Sequence, residues 1–95
     1  MMNRDSILVR SGELINGDRA KDYGPAKANH QRIADGWNVI VKSAIDTHGE
    51  LTPSHVALMM TWVKTARLLN TIGHEDSWID LASYAALGGE MASDE

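Results

Sequence analysis

The sequence predicts an all-α fold. Apolar residues recur at helical spacing almost throughout, β-branched alternation is scarce, and Thr52-Pro53 reads as an N-cap followed by a first-turn proline, the clearest helix start in the chain. At 95 residues the chain is read as one domain, 1–95, a compact four-helix unit that associates into an oligomeric helical assembly.

The first helix is expected from about Asp5 to Asn16, with Ile7, Leu8, Ser11, Leu14 and Ile15 buried on one stripe and Asn16-Gly17 as its stop. A charged loop, Asp18-Arg19-Ala20-Lys21-Asp22-Tyr23-Gly24-Pro25, follows, with Gly24 turning the chain and Pro25 at a favoured first helical position. The second helix, about Pro25 to Asp46, carries His30, Ile33, Trp37, Ile40, Val41, Ala44 and Ile45 at three-and-four spacing and ends at His48-Gly49. The third, from Pro53 to about Thr71, is apolar over more than half its circumference, which predicts a central position or one shared with a partner subunit. Gly73 stops it. His74-Glu75-Asp76 then opens a last helix, Ser77 to about Met91, whose acidic start suits the positive end of the helix dipole. Ala82, Ser83, Ala85 and Ala86 would let a neighbouring helix approach it closely.

Composition narrows the function classes. Without Cys there is no disulfide framework, thiolate metal site or thiol nucleophile, which fits a reducing cytoplasm. No apolar run approaches the roughly 20 residues of a membrane span, and Met-Met-Asn-Arg-Asp lacks a signal-peptide core. Nine Lys and Arg against thirteen Asp and Glu give a formal charge of −4 with no basic run, so duplex nucleic acid is not expected as a partner. A small phosphorylated ligand is compatible with that balance, because a pocket can gather a few cations on an otherwise acidic surface. Phe is absent, and the core is expected to use aliphatics, Met and Trp37, Trp62 and Trp78; one indole could instead wall a base-binding pocket.

Two constellations carry candidate chemistry. In the charged loop, Arg19 and Lys21 are suited to holding phosphate and Tyr23 to stacking on a base or hydrogen-bonding a nucleoside; the alternative is that the two cations pair with neighbouring Asp residues. On the third helix, Lys64 and Arg67 lie three apart without an acidic helical neighbour, so each needs either an anionic ligand or the cluster Glu75, Asp76 and Asp80. An ion pair from the third helix to Asp80 is one outcome. The acidic cluster could hold Mg²⁺ with substrate phosphates, or Glu75 and Asp76 could serve as cap and dipole compensation, a role less suited to Asp80 a full turn inside. His30, His48, His55 and His74 offer no paired zinc spacing, and there is neither a nucleophile elbow nor a Walker loop.

The blocks Asp18-Arg19-Ala20-Lys21-Asp22-Tyr23-Gly24, Val63-Lys64-Thr65-Ala66-Arg67-Leu68 and Asp76-Ser77-Trp78-Ile79-Asp80-Leu81-Ala82-Ser83-Tyr84-Ala85, in this order, resemble a family of small helical phage and prophage proteins of unassigned function. They are also similar to the nucleotide-modification-associated helical domains of phages, and distantly to the all-α nucleotide pyrophosphatases of the MazG and dimeric dUTPase type. The last resemblance implies a Mg²⁺ enzyme using a Glu-x-x-Glu pair and a second acidic pair. Asp76 and Asp80 are candidates for the second, but the second helix offers only Asp35 between its ends, so the first is missing. The expectation is therefore a homo-oligomeric phage-type protein, without a cofactor, in the host cytoplasm if phage-encoded. It would use Arg19, Lys21, Tyr23, Lys64, Arg67 and Asp80 to sequester a signalling nucleotide of host antiviral defence, a cyclic oligonucleotide or an ADP-ribose derivative, without cleaving it. The alternative is a Mg²⁺-dependent pyrophosphatase using Glu75, Asp76 and Asp80.

Overall fold

The computed structural model describes residues 2–95, and for Ala20, Asp22 and Tyr23 the backbone path alone. The helices are α1 (Arg4–Asn16), α2 (Asp18–Tyr23), α3 (Ala26–His48), α4 (Pro53–Asn70) and α5 (Glu75–Ser93). There is no strand among the described residues.

Local chemistry sets the helix ends. Asn3 caps α1, its Oδ1 accepting from the Ser6 N–H at 2.9 Å while Ser6 Oγ accepts from the Asn3 N–H at 3.3 Å. Gly49 adopts a left-handed φ of 80° and its N–H closes α3 on the Ile45 carbonyl at 2.9 Å. Thr52 is the N-cap of α4 and Pro53 its first residue, as expected. Two expectations at the other end of the chain are corrected. The charged segment is a short helix rather than a loop, and Pro25 is the N-cap of α3, with no side-chain cap, rather than its first helical residue.

Helix α4 is the spine, packed against α3, α5 and α2, which bears out the central position read from its apolar circumference. Two indoles lock α3 to α4. Trp37 Nε1 donates to the Met59 carbonyl at 2.9 Å, and Trp62 Nε1 donates back across the interface to the Arg32 carbonyl at 2.9 Å. Gly36 makes room for this, since a Cβ there would fall on Cε2, Nε1 and Cδ1 of Trp62. On the other side, Gly88 brings α5 so close to α4 that a Cβ would lie 2.8 Å from that of Ala57. Lys64 Nζ reaches Asp80 Oδ2 at 3.1 Å, the ion pair anticipated as one outcome for the third helix.

The core is correspondingly thin. Ala44, Ala57, Ala66 and Leu68 are the buried apolar residues among those described. The radius of gyration is 15.7 Å, against about 12 Å for a compact chain of this length, so the single chain is more open than expected. Helix α1 explains part of the difference: among the described residues it packs on no helix but α2, and Ile7, Leu8 and Ile15 are exposed rather than buried. His30 is also exposed instead of joining the apolar stripe of α3, because its Nδ1 is turned back to the Ala26 carbonyl. Trp78, expected in the core, is half exposed, with its indole N–H donating to the Ile72 carbonyl at 2.8 Å.

Candidate functional site

A cleft of about 620 Å³ opens where α1, α2 and the start of α3 converge, lined by Ile15, Arg19, Gly24, Pro25, Ala26, Asn29, His30 and Ile33. Its floor is the amino end of the longest helix. The N–H groups of Ala26, Lys27 and Ala28 have no intrahelical acceptor by the geometry of a helix start, Pro25 supplies no side-chain cap, and the first turn carries no acidic residue. The 23-residue α3 therefore presents the positive end of its dipole to the cleft with neither a side-chain cap from Pro25 nor an acid in its own first turn to offset it. Arg19 stands on α2 at the rim and its side chain is exposed.

Asn29 is the unusual lining residue. It is buried, 6% exposed, and its Oδ1 has no hydrogen-bond partner among the described residues. A buried amide oxygen without a donor costs about 1–3 kcal/mol, which a ligand N–H or O–H could recover. His30 adds a second acceptor. A carbonyl cannot donate, so the 2.6 Å contact to the Ala26 oxygen fixes the proton on Nδ1 and leaves Nε2 of the neutral ring as an acceptor. The cleft thus combines donors for an anion at the helix end with acceptors for hydroxyl or N–H groups one turn further on.

Gly24 shapes the entrance. Its φ of 73° turns the chain from α2 into α3, and a Cβ on it would meet Asn70 Oδ1 at 2.6 Å. Asn70 Nδ2 also lies 3.5 Å from the Lys21 carbonyl, so α2 is pinned to the last turn of α4. Arg67 is one turn earlier on the same ridge. Its Nη2 lies 3.1 Å from His74 Nε2, and because a guanidinium can only donate, that nitrogen accepts and the imidazole proton is on Nδ1. Nδ1 then donates to Ser77 Oγ at 2.8 Å, and the 3.3 Å approach of the Ser77 N–H to the same nitrogen is a close contact rather than a bond.

The structure thus divides the residues expected from sequence. Arg19 lines the cleft and Lys21 is exposed on the same short helix. The side chain of Tyr23 lies outside the described residues. Lys64 and Asp80 are committed to each other across α4 and α5, and Arg67 to His74. Glu75 and Asp76 are exposed in the first turn of α5, and no group of three or more potential metal ligands gathers among the described residues. Asn29 was missed because one polar residue on a helical stripe reads like any other; the absent cap and absent acid at the start of α3 were the signal that could have found the site. No helix of the described residues is long and apolar enough to cross a membrane.

The family model for the domain of unknown function DUF6378 matches residues 6–92, and the chain belongs to that family. It is 43% identical over 86 residues to the gene 55 protein of Mycobacterium phage L5, covering 90% of this chain and 52% of the relative. It is 35% identical over 81 residues to the gene 55 protein of Mycobacterium phage D29, covering 85% of this chain and 50% of that protein. The chain thus spans about half the length of the curated relatives it matches. No solved structure matches it significantly.

Proposed function

We propose that this member of the DUF6378 family captures a small phosphorylated nucleotide in the cleft at the start of α3 and holds it intact. The observation that carries the reading is the buried Asn29 Oδ1 beside an uncapped helix end. A phosphate takes the α3 N–H groups and Arg19, while a ribose hydroxyl or base N–H, about one helical turn away, donates to Asn29. Lys21 supplies further positive potential and Tyr23 a stacking surface. Lys64 and Asp80 are read as structural, holding α5 on α4, and Arg67 as held against His74.

The sequestered molecule is a signalling nucleotide of host antiviral defence, a cyclic oligonucleotide or an ADP-ribose derivative. This step rests on analogy with other small phage proteins. Capture is favoured over Mg²⁺-dependent pyrophosphate cleavage because Asp80, the acidic residue best placed inside its helix, already has the Lys64 ammonium at 3.1 Å.

The test is incubation with nucleotide mixtures, repurification, denaturation and analysis of what is released. Intact nucleotide supports capture, product supports the enzyme, and no retention refutes both. Arg19→Ala should weaken retention by roughly ten- to a hundredfold, the value of a charge-assisted phosphate contact of about 1.5–3 kcal/mol.

A further inference from the structure

We infer that two copies of the chain pair through the outer face of α4 and α5, with α5 of each copy lying along the α4–α5 groove of the other about a two-fold axis.

The chain exposes 6910 Å², whereas a folded monomer of 10.4 kDa exposes about 5,400 Å². Part of the excess, about 1,500 Å² per chain, belongs to the exposed α1; about half of it on α4 and α5 would bury about 1,500 Å² in a symmetric pair, the size of a standard specific interface. A nucleotide in the α3 cleft is far too small to cover that surface. A second copy supplies it without any other component, and an isologous contact needs only one self-complementary patch.

Between Asp80, neutralised by Lys64, and Glu90, helix α5 has no charged residue. Its outer flank exposes Trp78, Ile79, Ala85 and Gly89, and the adjoining groove is floored by Ala57 and edged by Leu58 of α4. A helix this apolar around its circumference is normally covered on more than one side, and among the described residues α4 is the one helix packed on α5. With a formal charge of −4 on each chain, an uncharged face is also the one on which two copies repel least.

Light scattering at micromolar concentration should give a mass twice 10.4 kDa. Gly89→Arg places a charge on the face at a position where a side chain meets nothing within 4 Å of its own chain. It should keep the helical circular dichroism spectrum while weakening the pair at least about a hundredfold, because a buried unpaired charge is not tolerated at an interface. Ala85→Glu, one turn away, gives an independent reading if Gly89→Arg does not fold. Val39→Arg, at an exposed apolar position of α3, should leave the pair intact. A monomeric parent chain overturns the inference, and so does a pair that survives both α5 variants or is broken by Val39→Arg instead.

Discussion

Replacing Gly36 by Ala sets local and tertiary physics in opposition. Gly36 is inside α3, where Ala is favoured over Gly by about 0.8–1 kcal/mol on helix propensity alone. Its missing Cβ, however, is the space occupied by the Trp62 indole. Ala at this position forces the ring aside, which carries the usual overpacking cost of about 1–3 kcal/mol. It also pulls Trp62 Nε1 from the Arg32 carbonyl, now 2.9 Å away, for about another 1 kcal/mol. The gain in propensity offsets roughly the hydrogen bond, leaving a net destabilisation of about 1–3 kcal/mol.

For a domain of this size that lowers the melting temperature by roughly 5–20 °C. Thermal unfolding followed by circular dichroism, with parent and variant at equal protein concentration, measures it. The same substitution in a Trp62→Leu background should change sign and stabilise, because the ring that excludes the methyl is gone. A Gly36→Ala variant that melts above its parent, or an equal effect in both backgrounds, would refute the close approach of α3 and α4 at Gly36 and Trp62.

Asp80→Asn should lower stability by about 1–2 kcal/mol, between the values for exposed and buried pairs, because Lys64 is largely buried while Asp80 is about half exposed. Adding Lys64→Met should recover most of that loss, and an unchanged melting temperature in Asp80→Asn would remove the ion pair from the account. Glu95 accepts from Ser54 Oγ at 2.6 Å and from the Ser54 N–H at 3.0 Å, and these bonds hold its carboxyl below the usual carboxylate range. A lowered folded value means that its stabilisation is present above the unfolded value and is lost as pH falls through the folded one. Glu95→Gln should therefore lower stability at pH 7 and flatten the acid limb, the two proteins converging at low pH; a parent and variant equally stable at pH 7 with identical acid limbs would count against the contact.

The legible parts of this fold are those decided within a few residues. Thr52-Pro53 and His48-Gly49 mark ends of α4 and α3 because capping and left-handed turns are local chemistry. The six residues of α2 were hidden, since Gly17 before them and Gly24-Pro25 after them carry the signature of a loop. The stripe on α1 identified a face but not what covers it, and among the described residues no helix but α2 packs on it. The Gly36–Trp62 contact joins residues far apart in sequence, and neither one predicts the other. The site divided in the same way. Lys64 and Arg67 were legible as cations lacking local partners, and Asp80 as one possible partner across helices, but which cation it pairs with, and His74 as the neighbour of Arg67, emerged only when α5 was laid against α4.

The placement of α4 makes the two proposed surfaces separable. The cleft is built from α1, α2 and α3, the groove from α4 and α5, and α3 and α5 do not touch. No lining residue is shared, so a change on one surface reaches the other only through the α4 spine, and effects at such separated sites usually add. Gly89→Arg should therefore yield a single chain that retains nucleotide as the pair does, measured per chain by release after denaturation, while Arg19→Ala loses retention and remains paired. Combining the two should give both losses and nothing more. If Gly89→Arg abolishes retention while the helical spectrum is unchanged, the cleft is incomplete in one chain and the second copy must close it, which would refute the independence argued from the packing of α4.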